Sequence, residues 1–244
     1  MPLINYSENP TSFAQLPTKL EDCLGTARLA FRDLGMLAIE AFPHTPFEEL
    51  KALDYGCGTG RSSLYLKRLG IKDITSVDIQ ESMLQEARKN DPEGHYLHIK
   101  NASVPFPSKT FDLVFSSFVI IEIDTQEAIL EVFSEIYRLL KKGGVFMLIT
   151  VSPELYNPNN LWVSINNQFP ENHNPYSGSK VKMSDNNTLL FEDFFWTEQD
   201  LRELSQQAGF SEIKIHHPLG IPSDGVEWLC ESEVAPYHHY LIRK

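Results

Sequence analysis

The stretch Leu53-Asp54-Tyr55-Gly56-Cys57-Gly58-Thr59-Gly60 carries the clearest chemistry in the chain. An apolar approach is followed by a carboxylate and three glycines at alternating positions. A helix-forming run over 61–69 comes next. Glycine accepts positive φ and lets a ligand approach the backbone with no Cβ in the way. Further along, Val77-Asp78-Ile79 ends a second apolar run. A carboxylate placed there can accept two hydrogen bonds from ribose hydroxyls; its competing use is as a helix N-cap. Ile79 and Met83 are positioned to flank a flat ring such as adenine, and Met83 suits a helix core equally well. The glycine loop fits the dinucleotide pattern poorly. That pattern needs its third glycine three residues after the second; here the slot holds Arg61 and the glycine comes one residue early.

These residues need a framework of alternating strands and helices. Apolar runs predict strands over 51–55, 74–78, 96–100, 111–116 and 145–151. Helical spacing predicts helices over 61–69, 80–90 and 126–141, the last with Ile129, Val132, Phe133, Ile136, Tyr137 and Leu140 on one face. Lys141-Lys142 reads as the cationic end of that helix and Gly143-Gly144 as its stop. Such alternation implies a mostly parallel sheet with helices on both faces. A helix over 197–209 and strands over 212–216 and 237–242 complete a seven-stranded sheet whose last strand runs antiparallel. In sheets of this kind ligands bind at the carboxyl ends of the strands. Ahead of the sheet, residues 1–17 read as an irregular arm. Leu20, Cys23, Leu24, Ala27, Phe31, Leu34 and Ala38 predict one helix over 18–42, ended by Pro43 and Pro46. One domain spans 1–244, with 1–44 as arm and helix.

Taken in order, these motifs resemble the class I S-adenosylmethionine-dependent methyltransferases, in particular the small-molecule (type 11) enzymes. Asp-x-Gly-x-Gly-x-Gly resembles their first motif. Asn101-Ala102-Ser103 falls where the family often has an acid plus Ala near the adenine amino group; a plain turn is the alternative for Asn101. Pro105-Phe106 and Phe111-Asp112 match a family stretch, and Phe111 to Phe118 resembles the fourth motif. The resemblance implies a Rossmann-like fold and S-adenosylmethionine as cofactor, with S-adenosylhomocysteine as product. It implies cofactor contacts at Asp54, Gly56, Gly58, Gly60, Asp78, Asn101, Ala102 and Ser103, and at Ser116 and Ser117 beside the methionine part. Tyr6 in the arm is placed to close over the cofactor, as N-terminal aromatics do in similar enzymes. Many members carry a histidine just beyond Val119; here those positions hold Ile121 and Glu122. The Asn/Asp-Pro-Pro-Tyr/Phe signature of amide methyltransferases is also absent. Methyl transfer is an in-line displacement, so alignment and water exclusion can do much of the work. A base is needed only for a protonated acceptor.

The acceptor side falls to residues 152–195, which are rich in Asn, Pro and aromatics and show no regular period. A segment like this reads as a lid or acceptor-binding insertion. Its aromatics Trp162, Tyr176, Phe191, Phe194, Phe195 and Trp196, with Trp228 nearer the end, are candidates to hold a small flat or apolar acceptor. His173 and Glu227 are the candidate bases. His216-His217 and His238-His239 lie on the last two strands. Neighbours on a strand point to opposite faces, so no metal site is expected.

Composition narrows the partners. Hydrophobic residues make up 42% of 244 residues, enough for a large core. The net charge of −12 disfavours nucleic acid, whose phosphates bind Lys and Arg. No membrane span or leader is expected, and three cysteines without a Cys-x-x-Cys pair suit a reduced cytoplasm. A monomer or homodimer acting on a small molecule fits best. The alternatives are a nicotinamide-dependent oxidoreductase, disfavoured by the glycine spacing, and a non-catalytic cofactor-binding protein.

Overall fold

The computed structural model describes the backbone of residues 3–4 and residues 23–185 and 189–244. Tyr6 lies outside the described residues. The strands are β1 Leu3–Ile4, β2 Lys51–Tyr55, β3 Asp73–Asp78, β4 His95–His98, β5 Phe111–Ser117, β6 Leu140–Val151, β7 Ile165–Asn166, β8 Lys180–Asp185, β9 Leu190–Phe194, β10 Glu212–His216 and β11 Tyr237–Arg243. The helices are α1 Leu34–Ala41, α2 Arg61–Arg68, α3 Glu81–Asn90, α4 Gln126–Leu139 and α5 Glu198–Gln207.

Seven strands form one sheet in the order β10-β11-β6-β5-β2-β3-β4. β11 runs antiparallel to both neighbours, and β6 through β4 pair in parallel. The expected Rossmann-like sheet with an antiparallel last strand is therefore present. Strand alternation splits the core into two layers. Val145, Met147, Ile149 and Val151 of β6 join a cluster with Leu29, Leu34, Leu37 and Leu66 on one face. Phe146 and Leu148 join Ile129, Phe133, Ile136, Leu201 and Tyr240 on the other. This is the period-two burial of a strand covered on both sides.

Three expectations are corrected. Helix α4 ends at Leu139, and strand β6 begins at once with Leu140, whose side chain is fully buried opposite Phe111. Lys141 is therefore a strand residue; its Nζ lies 2.7 Å from Asp112 on β5. Gly143-Gly144 lies within β6 rather than ending a helix. The single helix over 18–42 is also broken. Among described residues a 3-10 turn, Gly25–Phe31, precedes α1, and Asp33 between them takes φ +63°. Tertiary polar contacts hold the break: Arg32 Nη1 donates to Leu219 O at 2.9 Å, and Asp33 Oδ2 sits 2.9 Å from His216 Nε2. Such contacts outweigh local helix propensity.

The third correction concerns residues 152–195. They are not structureless. β8 and β9 form an antiparallel hairpin, flanked by β7 and by β1, in a separate four-stranded sheet. Val181, Leu155 and Trp162 are buried in the first core layer, so the insertion packs as part of the domain rather than as a detachable flap. Among the described residues no helix is long and apolar enough to cross a membrane.

Phe146 is fully buried, with ring centroids 5.5 Å from Phe133 and 6.2 Å from Phe210. Phe146→Ala is expected to cost about 3–5 kcal/mol, read as a lower urea midpoint at an unchanged slope.

Candidate functional site

Strand β2 runs into the glycine loop at the carboxyl edge of the sheet. Gly56 has φ +75°, and a Cβ there would lie 2.1 Å from Val119 Cγ2. Gly58 has φ +53°, and a Cβ there would meet nothing within 4 Å. The first glycine is thus required by packing, and the second leaves open the space a ligand would enter. The loop amides are spent inside the protein. Gly56 N and Cys57 N donate to Val77 O at 2.8 and 3.0 Å. Gly58 N donates to Asp78 Oδ2 at 2.8 Å, and Gln80 N donates to Asp78 Oδ1 at 2.8 Å. Asp78 therefore organises both the loop and the start of α3. A carboxylate has about four acceptor positions.

Asp54 lies beneath the loop. It is fully buried, and its Oδ2 accepts from Ser62 Oγ and Ser63 Oγ, each at 2.6 Å. Burial pushes its pKa up to about 6, against the two serine bonds and with help from the charge of Asp78. It pins the first turn of α2 under the loop and does not reach the cavity wall.

The loop opens on a cavity of about 420 Å³, within the usual range for a small-molecule site. Of the residues expected from sequence, Gly56, Gly58, Asp78, Ile79, Asn101, Ala102 and Ser117 line it. Ile79 is 54% exposed, an apolar side chain offered to the cavity mouth. Asn101 also makes the plain turn contact, its Oδ1 accepting from Ser103 N at 3.0 Å. Four others lie off the wall. Gly60 caps α2 against Tyr96, Met83 and Ser116 are buried, and Ser103 faces a neighbouring groove. The wall also includes Val119, Glu122, Ile123, Ala128, Glu131 and Val132, which the sequence reading did not place there. The signal was available: 128, 131 and 132 share a face at the first turns of α4, the helix that follows β5.

A second cavity of about 420 Å³ adjoins the first and shares Arg61, Phe118 and Glu122 with it. Its other walls are mainly apolar, including Leu24, Ile121, Ile165, Met183, Phe191 and Tyr237, with carboxylates from Asp185 and Asp193. Phe118 holds φ +61°, a conformation that costs a non-glycine residue about 1–3 kcal/mol. Its amide donates to Ile149 O at 2.9 Å, and its ring meets Tyr237 edge-on at 5.7 Å. Asp193 is 2% exposed and accepts from the Tyr156 hydroxyl at 2.6 Å. Burial pushes its pKa up to about 7.

The expected acceptor residues divide. Phe191 lines the second cavity. Trp162 and Trp196 are core residues whose indole N–H groups donate to Leu155 O and Ile123 O. Phe195 packs on Tyr156, and Phe194 lies half-buried against the opposite core layer. Trp228 donates to Asp224 Oδ2 at 3.0 Å, and Tyr176 is 75% exposed. His173 and Glu227 are exposed and line neither cavity. Irregular sequence suggests pocket lining, but Trp162 and Phe195 pack in one core layer of the domain and Trp196 and Phe194 in the other.

The histidines of the last two strands do point to opposite faces along each strand. Across strands, however, they pair: His217 with His238 at 4.4 Å between centroids and His216 with His239 at 5.8 Å. Burial lowers the His238 pKa to about 4, assisted by His217.

Residues 53–148 match the family described as "Methyltransferase domain". The chain is 34% identical over 105 residues to malonyl-(acyl-carrier protein) O-methyltransferase of Enterobacter lignolyticus, covering 43% of this chain and 40% of that enzyme. It thus spans less than half the length of that relative. It is 24% identical over 199 residues to N-demethylindolmycin N-methyltransferase of Streptomyces griseus, covering 80% and 81%. The fold is similar to that of an S-adenosylmethionine-dependent methyltransferase from Mesorhizobium loti, with TM-score 0.63 and 16% identity over 92% of this chain and all of that one. The chain is thus similar in sequence to methyltransferases over residues 53–148 and in fold to S-adenosylmethionine-dependent methyltransferases.

Two outcomes are expected. Gly58→Ala should fold and lose cofactor affinity, whereas Gly56→Ala should lose stability first; calorimetry and thermal melts on the two variants separate the cases. For Asp193 the folded pKa is above the ordinary 3.8, so the native state holds the proton longer. The burial penalty is absent below about pH 4 and complete above about pH 7. Asp193→Asn should match the parent stability near pH 4 and exceed it by up to about 4 kcal/mol at pH 8, measured by urea unfolding across that range.

Proposed function

We propose that the protein is an S-adenosylmethionine-dependent enzyme that methylates a nitrogen or oxygen atom of a small acceptor bound in the second cavity. One observation carries this reading: Arg61, Phe118 and Glu122 belong to both cavities, so donor and acceptor spaces meet at these three side chains. When bound, the cofactor supplies an electrophilic methyl group on a sulfonium. The chain's own residues do the rest. Asp78 holds the ribose, and Ile79 flanks the adenine. Phe118 sets the boundary between the two spaces and excludes water there. Glu122 accepts a hydrogen bond or a proton from the acceptor N–H or O–H, the place sequence reasoning had left without a base. Asp193, buried with a pKa near neutral, is a second proton acceptor at the far wall.

A nitrogen acceptor with an apolar body fits the walls best. Glu122, Asp185 and Asp193 give the second cavity three carboxylates against the one guanidinium of Arg61. This balance suits an amine and opposes a free carboxylate. The name of the Streptomyces relative agrees with a nitrogen acceptor, and that of the Enterobacter relative with a carboxylate one; a carboxylate would have to rely on Arg61. A nicotinamide reading is opposed by the Gly58 amide, which faces Asp78 rather than a pyrophosphate. A purely binding role leaves the joined second cavity without a purpose.

Asp78→Ala should weaken S-adenosylhomocysteine binding by about 1.5–3 kcal/mol, read by calorimetry. Labelled-methyl transfer to apolar amines and to malonyl thioesters tests the acceptor class; transfer to the thioesters alone would overturn the amine reading. Glu122→Gln should lower kcat about 10²-fold or more and leave cofactor affinity unchanged.

A further inference from the structure

Away from both cavities, three elements bring metal-ligating side chains to one point. Glu198 is the first residue of α5, His217 follows β10 directly, and His238 lies near the start of β11. One donor atom from each lies within 4.8 Å of the other two. His217 Nε2 is 3.5 Å from Glu198 Oε2, and the two imidazoles are 4.4 Å apart. A tetrahedral zinc ion with bonds of about 2.0–2.1 Å separates its ligands by roughly 3.4 Å. The His217–Glu198 pair already has that spacing, and the third donor lies within 4.8 Å of both. His238 is 9% exposed, and its Nδ1 is buried without a hydrogen-bond partner. The other Glu198 oxygen, Oε1, accepts from Arg202 Nη2 at 3.0 Å. This contact orients the carboxylate as outer-shell partners of metal ligands do.

We propose that Glu198, His217 and His238 form a binding site for one borderline divalent transition-metal ion, zinc or a close relative. Two imidazoles and a carboxylate select such ions over magnesium or calcium, which prefer all-oxygen sites. His217 is half exposed, so water can fill the fourth position. None of the three residues lines either cavity, and the role is structural. The ion would fasten the start of α5 to the β10–β11 hairpin. That start follows directly on the β8–β9 hairpin, and its Asp200 accepts from Ser177 Oγ within the insertion at 2.6 Å. The metal would thus brace the sheet that carries part of the acceptor wall.

The test uses untagged, chelator-treated protein with Zn²⁺ and, for spectroscopy, Co²⁺. One equivalent of Zn²⁺ should bind and raise the melting temperature. Co²⁺ should give a tetrahedral visible spectrum without a thiolate charge-transfer band. His217→Ala changes a half-exposed side chain and should keep the fold by circular dichroism; it should weaken Zn²⁺ binding at least tenfold and abolish the thermal shift. Glu198→Gln should weaken it less, with His238→Gln as a second probe of the imidazole pair. No stoichiometric binding to the parent, binding unchanged in His217→Ala, or a thiolate band from the cysteines would each overturn the proposal.

Discussion

The hydrogen bond from the Gly58 amide to Asp78 connects the two halves of the proposed nucleoside site. It joins the loop after β2 to the end of β3, so that the loop cannot shift without moving the carboxylate. The contact depends on the sheet register. Tyr55 pairs with Val77 in the parallel ladder, and Val77 O receives the next two loop amides. Below this, the buried Asp54 fixes Ser62 and Ser63 at the entry of α2. Two carboxylates in one small region raise each other's cost of ionisation. Part of that cost is offset by serine and backbone donors aimed at them. The loop is therefore held from above and below before any ligand arrives, the preorganisation a positioning enzyme needs.

The framework of the proposed cofactor half was legible in the sequence because its chemistry is local. Glycines that must take positive φ and a carboxylate at a strand end leave a linear pattern, and β2, β3, α2 and α3 fell within a residue or two of expectation. The acceptor half was not legible, for physical reasons that differ by residue. Glu122 was visible only as a departure from a pattern, since its position between two cavities depends on how the turn after β5 packs. Asp185 and Asp193 fall in a stretch without regular period, yet strands β8 and β9 carry them to the second cavity. The period-two signal in Lys180-Val181-Lys182-Met183 was present but short, and the surrounding Asn and Pro obscured it. Trp162 and Trp196 were read as pocket walls because indoles suit binding sites. They are buried because each indole N–H finds a backbone carbonyl, which large amphipathic rings require when buried.

The break between Gly25–Phe31 and α1 shows the same limit on a larger scale. The apolar spacing of a continuous helix is real, but Arg32 and Asp33 have partners nearly two hundred residues away in sequence. The turn that precedes the break contributes Ala27 and Ala30 to the wall of the second cavity. The wall of the second cavity is thus assembled from stretches scattered between residues 23 and 237, while that of the first comes from the run of βα units between residues 55 and 132.

The left-handed backbone at Phe118 bears on how such an enzyme diversifies. A side chain at the boundary between the two cavities is an obvious place to change acceptor preference. Here the backbone restricts the choice: β-branched residues would be strained, and glycine or asparagine would relax the turn but forfeit the ring. The position is therefore a poor route to new specificity. The hairpin of β8 and β9 carries no such restriction at Met183 or Phe191, whose backbones are ordinary strand. Drift in acceptor choice would collect on that hairpin, and the junction between the two cavities would change little.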